Sequence, residues 1–91
     1  MKLVFHAAAL ADLQNIHDYI SQDKPDIAVA VVQRIHAALD RLQQFPRSGR
    51  IGTVPETFEL VVQGLPYIAV YELLPEQIEV IAIFHTGQDR R

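Results

Sequence analysis

Residues 57–85 read TFELVVQGLPYIAVYELLPEQIEVIAIFH, and this stretch decides the class of fold. It holds three runs rich in the β-branched and aromatic residues that favour strands: Thr57–Gln63, Tyr67–Leu73 and Ile78–His85. Gly-Leu-Pro at 64–66 and Pro-Glu-Gln at 75–77 separate these runs and are typical of turns. Three strands joined by short turns predict an antiparallel meander.

Before this stretch, the sequence predicts one short strand and then two helices. Lys2–His6 is a short apolar run that suits a strand, and a helical pattern starts near Ala8. The second helix is predicted from near Asp26 to near Gln44, and Phe45 before a proline favours its end there. The apolar stripes of the two helices are Leu10, Leu13, Ile16 and Ile20 in the first, and Ala28, Val31, Val32, Ile35, Leu39 and Leu42 in the second.

The predicted order of elements is β-α-α-β-β-β, which indicates an α+β fold. The two helices are joined by only a few residues, so we expect an antiparallel hairpin that covers one face of an antiparallel sheet. The chain has 91 residues, enough for about one domain, predicted to span residues 1–91.

The composition excludes several kinds of site. Eight Lys and Arg against 11 Asp and Glu give a net charge of −3, which argues against direct nucleic-acid binding. Without cysteine, the chain has no disulfide, thiolate nucleophile or Cys-based zinc site. The four histidines show no metal spacing, and no nucleotide or cofactor motif occurs, so neither a metal nor a cofactor is expected. No run is long and apolar enough for a membrane span, and the N-terminus does not resemble a signal peptide, so we expect a cytoplasmic protein.

Two segments are candidates for function. The first is the loop from Arg47 to Arg50, in which Arg50 either pairs with backbone carbonyls or with Glu59, or contacts an anion or a partner. The second is the segment that begins at His85 and continues to Arg91. His85 either reaches a partner or carries a proton, or the segment is a frayed tail with no role.

The order and spacing of several short motifs resemble a known family along essentially the whole chain. The chain is similar to the RelE/ParE superfamily of bacterial type II toxins, and to its ParE branch above all. The motifs that carry this resemblance are Asp12-Leu13, Ile16 and Tyr19-Ile20; Pro25 and Ala28; Leu39, Leu42, Phe45-Pro46 and Gly49-Arg50; Glu59 to Val62; Pro66 to Tyr71; and the apolar strand that ends in His85.

The resemblance implies a toxin encoded beside an antitoxin, a role in plasmid stabilization, and no cofactor. The expected partners are a ParD-like antitoxin, which wraps and neutralises the toxin in a hetero-oligomer, and DNA gyrase, which the toxin inhibits by binding. RelE-like members instead cleave mRNA on the ribosome, and they usually carry an arginine where Ile68 stands here. Two further departures concern the ParE pattern, in which an arginine is usual at Phe58 and a proline at Ile51.

Three functions follow as hypotheses: a gyrase-binding toxin, a ribosome-dependent endonuclease, and a non-toxic relative that still binds an antitoxin. The first needs no catalytic residue, whereas the second would use Arg50 and His85. The residues predicted to bind partners are Arg47, Arg50, Tyr71, His85, Gln88, Arg90 and Arg91.

Overall fold

The computed structural model of the chain describes residues 1–87. Its elements are β1 (Lys2–Phe5), α1 (Ala7–Ser21), α2 (Pro25–Asp40), β2 (Arg50–Ile51), β3 (Thr57–Val61), β4 (Tyr67–Leu73) and β5 (Gln77–His85). A 3₁₀ turn over Arg41–Gln43 follows α2. The predicted α+β class and the order of the main elements are confirmed.

The helices begin and end close to their predicted positions. Pro25 occupies the first turn of α2, where its missing N–H costs no hydrogen bond, and Asp26 adds a negative charge at that end. Regular α-helix stops at Asp40 instead of near Gln44, because the last residues tighten into the 3₁₀ turn. Among residues 1–87, no helix combines the length and apolarity that a membrane crossing requires.

The sheet has the strand order β1-β5-β4-β3-β2 and differs from the expected sheet in two details. It is mixed rather than wholly antiparallel, because β1 runs parallel to β5, with Lys2 opposite Gln77. It also gains β2, two residues of the predicted loop that pair with β3, with Arg50 opposite Glu59. So short a strand leaves no periodic pattern in the sequence, and its pairing depends on β3.

The core lies between the helical hairpin and one face of the sheet, here called the helix face. The largest fully buried side chains are Ile35, Leu39, Leu42, Tyr71, Ile78 and Val80. The predicted stripe of α2 is buried except for Val32, which is half-buried. In α1 the prediction was wrong for Leu10, which is 52% exposed, while Ala9 is buried in its place.

The other face of the sheet, here called the open face, carries no helix formed by residues 1–87. Along the central strands it presents two cross-strand pairs, Ile68 with Phe84 and Val70 with Ala82. Glu59 lies on this face opposite Val70, yet only 4% of it is exposed. The charged side chain of Glu59 is therefore almost wholly removed from solvent.

Candidate functional site

The loop that carries Arg47 and Arg50 is attached to the core by Tyr71. The Tyr71 hydroxyl donates to the Pro46 carbonyl (2.8 Å) and accepts from the Gly49 N–H (3.0 Å). Burial raises the pKa of Tyr71, which keeps the hydroxyl protonated for this donation. A Cβ at Gly49 would lie 2.6 Å from that hydroxyl, so only glycine fits there.

This geometry corrects the expectation that Tyr71 contacts a partner. Its side chain is 0% exposed and has both hydroxyl interactions inside the protein. Tyr71 instead positions the loop, and the loop presents Arg47, which is exposed. The sequence of a strand does not show whether an aromatic side chain is buried or exposed. It therefore does not distinguish a partner contact by Tyr71 from the positioning of the loop.

Arg50 adopts one of the arrangements left open by the sequence, an ion pair with Glu59. Its Nη2 lies 3.2 Å from Glu59 Oε1, and the side chain of Glu59 is 5% exposed while that of Arg50 is 60% exposed. The pair compensates a carboxylate that is otherwise taken out of water. The Arg50 guanidinium is therefore held in place but still presents most of its surface to solvent.

His85 lies in a groove between α1 and the end of β5, with a volume of about 630 Å³. Its ring meets that of Tyr67 edge-on, with centroids 5.4 Å apart. Nδ1 accepts from the Gly87 N–H (2.9 Å), so the neutral ring carries its proton on Nε2 and can donate to a partner. We call this groove the His85 groove; its lining residues are Asp12, Asn15, Ile16, Tyr19, Tyr67, Ile83, Phe84, His85 and Gly87.

Asp12 fixes α1 against the sheet at this groove. Its Oδ2 accepts from the Ile83 backbone N–H (2.8 Å), on the outer edge of β5 where β1 has already ended. The carboxylate thus accepts a hydrogen bond from a backbone N–H at the sheet edge, which another strand could otherwise pair with. Gln88, Arg90 and Arg91, also predicted to bind partners, lie outside the described residues.

The structure does not bring Arg50 and His85 together. Arg50 is on the open face with Glu59, whereas His85 is on the helix face with Tyr67. They belong to β2 and β5, which are three strand spacings apart, or about 14 Å at roughly 4.8 Å for each spacing. The pair proposed for endonuclease chemistry is therefore not assembled.

The central strands also offer no cation for a phosphate. Neither β4 nor β5 contains Lys or Arg, and the middle of the open face consists of apolar side chains. Ile68, where an arginine would stand in an RelE-like nuclease, is 6% exposed.

A second groove, at residues for which the sequence predicted no role, lies between α2 and the outer edge of β3. Its volume is about 420 Å³, and Arg34 Nη2 donates to the Gln63 carbonyl (2.8 Å) at one end. We call it the β3-edge groove; it is lined by Arg34, Ala37, Ala38, Arg41, Phe45, Ser48, Leu60, Val61, Val62 and Gln63. The spacing of Arg34, Ala37, Ala38 and Arg41 on one helix face was the signal available in the sequence.

Apolar side chains are exposed around both grooves. Tyr19 is 76% exposed in the His85 groove, and Phe45 and Val61 are 58% and 49% exposed in the β3-edge groove. Ile51 and Val54, in and after β2, are 85% and 60% exposed. Exposed apolar surface on so small a domain is typical of a protein that binds a partner.

Within residues 1–87, no group of three or more His, Asp or Glu side chains could hold a metal ion. Each histidine lies beside a group of the protein itself: His6 beside Glu79, His17 beside Asp18, His36 beside Phe5, and His85 beside Tyr67.

Comparison with known proteins places the chain among toxins. The sequence model of the family described as ParE toxin of type II toxin-antitoxin system, parDE, matches residues 3–90. The Sinorhizobium fredii protein Y4kP is 41% identical over 80 residues, covering 88% of this chain and 82% of that protein. Toxin RelE2 of Caulobacter vibrioides is 32% identical over 87 residues, covering 96% and 97% of the two chains.

Solved structures agree with this placement. A chain of the chromosomal ParDE TA system from P. aeruginosa superimposes with a TM-score of 0.89 at 28% identity, covering 96% of this chain and 97% of that one. The isolated E. coli RelE toxin shares the fold, with a TM-score of 0.70 at 16% identity and coverage of 97% and 86%.

Fold and comparisons together define a type II toxin of the RelE/ParE superfamily. Within that superfamily, the chain belongs to the ParE toxin family.

Proposed function

We propose that the protein is a cytoplasmic toxin that inhibits DNA gyrase by binding it and is neutralised by a ParD-like antitoxin in a hetero-oligomer. The main support is the centre of the open face, where β4 and β5 offer apolar side chains and no cation. A nuclease must stabilise charge on the scissile phosphate, and Ile68 cannot do so. A toxin that acts by binding needs only a shaped surface.

The surface proposed to contact gyrase has two separate parts, the His85 groove on the helix face and the loop of Arg47 and Arg50. The Nε2–H of His85 and the exposed guanidiniums give it polar groups, and Tyr19 gives it an exposed aromatic ring. Aromatic and arginine side chains are the residues that contribute most to protein interfaces. Gln88, Arg90 and Arg91 stay predicted partner contacts from the sequence and lie outside the described residues.

A supercoiling assay with purified toxin and gyrase tests the proposal. We expect inhibition that the antitoxin relieves, and we expect His85→Ala to lower the potency by about tenfold, the usual scale for one strong interface contact. His17→Ala, which changes a histidine of α1 outside the groove, is the matched control and should keep full potency. Gyrase that remains fully active at a large excess of toxin would refute the proposal.

A ribosome-dependent endonuclease remains the second candidate, because one relative with 32% identity is named toxin RelE2. The separation of Arg50 and His85 argues against it. Primer extension on translated mRNA after induction would show cleavage if this candidate were correct. Normal growth after induction without antitoxin would instead favour the non-toxic relative.

A further inference from the structure

The β3-edge groove presents two arginines to solvent along one wall. Arg34 and Arg41 are both exposed and stand seven residues apart, about 10 Å along the axis of α2 and the 3₁₀ turn that continues it. Ala37 and Ala38 lie between them, and these small side chains leave the floor of the groove open to a bulky ligand. Among residues 1–87, no carboxylate lines the groove. The site therefore offers two cations without a competing anion.

The remaining arginines within residues 1–87, Arg47 and Arg50, stand on the same side of the molecule. The loop between them contributes Ser48 to the lining of the groove, so the loop and the groove form one continuous surface. Arg50 pairs with Glu59 (3.2 Å) and so balances the charge of that buried carboxylate. The arginines of the described chain are thus concentrated at one edge of a protein whose net charge is −3.

Arg34 keeps most of its hydrogen-bonding capacity for a ligand. Its Nη2 donates to the Gln63 carbonyl (2.8 Å), which holds the guanidinium in place at one end of the groove. A guanidinium carries several N–H donors in a planar fork, so this one bond leaves other donors for a ligand. The fork fits two oxygens of one phosphate at the same time. A groove with two arginines and a floor of small residues therefore suits a chain of phosphates.

We propose that the β3-edge groove binds the phosphate backbone of the DNA that gyrase holds. Arg34 and Arg41 would contact phosphates of one strand, which follow one another every ~3.4 Å along the duplex axis. The loop of Arg47 and Arg50 is part of the surface proposed to contact gyrase. A toxin seated there would bring the adjoining groove to DNA on the enzyme. This inference rests on the proposed function.

The net charge of the protein explains why this contact needs gyrase. DNA repels a protein of net charge −3 at long range, so the isolated toxin should bind duplex DNA only weakly. Gyrase that holds both the toxin and the DNA raises the local concentration of phosphates at the groove. Because the backbone carries no sequence information, the contact should not depend on the sequence of the DNA.

The affinity of fluorescently labelled toxin for gyrase, measured by anisotropy with and without a bound duplex, tests the proposal. We expect the duplex to strengthen binding of the wild-type toxin about fivefold, the scale of two exposed charge pairs. Arg34→Gln together with Arg41→Gln should lose this gain and still bind DNA-free gyrase like the wild type. Lys2→Gln with Lys24→Gln is the matched control, which removes the same charge at two exposed residues outside the groove and should keep the gain.

Several results would overturn the assignment to DNA. If the duplex brings no gain to the wild-type toxin, or a gain that the arginine variant retains, the groove does not contact DNA and the proposed function stands. Weaker binding of the arginine variant to DNA-free gyrase would assign the two arginines to an acidic surface of the enzyme itself. Equal losses in the arginine and lysine variants would mean nonspecific attraction.

Arg41→Gln alone guards against a folding defect, because it leaves the bond between Arg34 and the Gln63 carbonyl intact. This single variant should lose part of the gain from the duplex. A single variant that keeps the whole gain would show that Arg41 does not contact DNA, and the two-arginine site would be wrong.

A titration of the toxin with short duplex DNA at low salt decides the matter if gyrase does not bind the toxin, a result that would refute the proposed function. The slope of the logarithm of the binding constant against the logarithm of the salt concentration should be shallower by about 1.8 in the arginine variant than in the lysine variant, because each phosphate contact contributes about 0.9. Equal slopes in the two variants would show that the groove does not bind phosphates.

Discussion

Tyr71→Phe removes a single oxygen and should destabilise the protein by about 2 kcal/mol. The variant leaves the Pro46 carbonyl and the Gly49 N–H without their partner, at sites that are partly buried. A buried polar group that loses its partner costs about 1–3 kcal/mol, and partial access to water places each of these two near the lower bound. A domain of this size has a total stability of about 5–14 kcal/mol, so the loss is a substantial share.

Urea unfolding, followed by circular dichroism, measures this difference. A loss of about 2 kcal/mol corresponds to a fall in Tm of about 8–16 °C for a domain of this size. Tyr19→Phe is the matched control, because Tyr19 is 76% exposed, and its stability should stay within about 0.5 kcal/mol of the wild type. If Tyr71→Phe is equally neutral, the hydroxyl does not hold the loop and the argument for Tyr71 as a positioning residue is refuted.

Three further predictions concern other parts of the structure. The hydrogen bond with His6 holds the pKa of Glu79 below its ordinary value of 4.5. The Glu79→Gln variant should therefore be less stable than the wild type above that pH, and the difference should vanish as the pH falls through the lowered pKa. A difference in urea midpoint that stays unchanged down to pH 2 would contradict this. Asp12→Ala should cost about 1–2 kcal/mol and speed amide exchange at Ile83, whose N–H loses its acceptor; an unchanged exchange rate would show that the bond is unimportant. Gly64→Ala should lower the free energy of unfolding by about 1–2 kcal/mol, because the φ of +80° suits glycine and not alanine. Thermal unfolding measures this loss, and an unchanged Tm would contradict the prediction.

The parts of the fold that the sequence predicts well are those with strong local patterns. The bounds of β4 agree residue for residue, because a β-branched and aromatic run stands between two turns that contain proline. The buried stripe of α2 follows from its long and regular apolar period. In α1 the alanine-rich start makes several faces nearly equivalent, so Leu10 was assigned to the core although Ala9 fills that position.

The parts that the sequence does not predict depend on contacts between distant residues. No local pattern distinguishes a parallel from an antiparallel edge strand in β1. Glu59 is buried although it is charged, and the Arg50 that pairs with it comes from another strand. The β3-edge groove depends on where β2 begins, and that point is fixed by the Tyr71 hydroxyl, 22 positions further along the chain from Gly49.

The parallel pairing of β1 with β5 also bears on how the toxin folds while it is being synthesised. The ribosome makes Lys2 before its partner Gln77, which comes 75 positions later. At about 5–20 residues per second, the first strand waits about 4–15 seconds for the strand that it joins. The helical hairpin needs only local contacts and can form in that interval, while the sheet cannot be completed. A nascent toxin chain therefore passes through a stage in which it cannot yet present its finished surface, and an antitoxin already in the cell has that time to reach it.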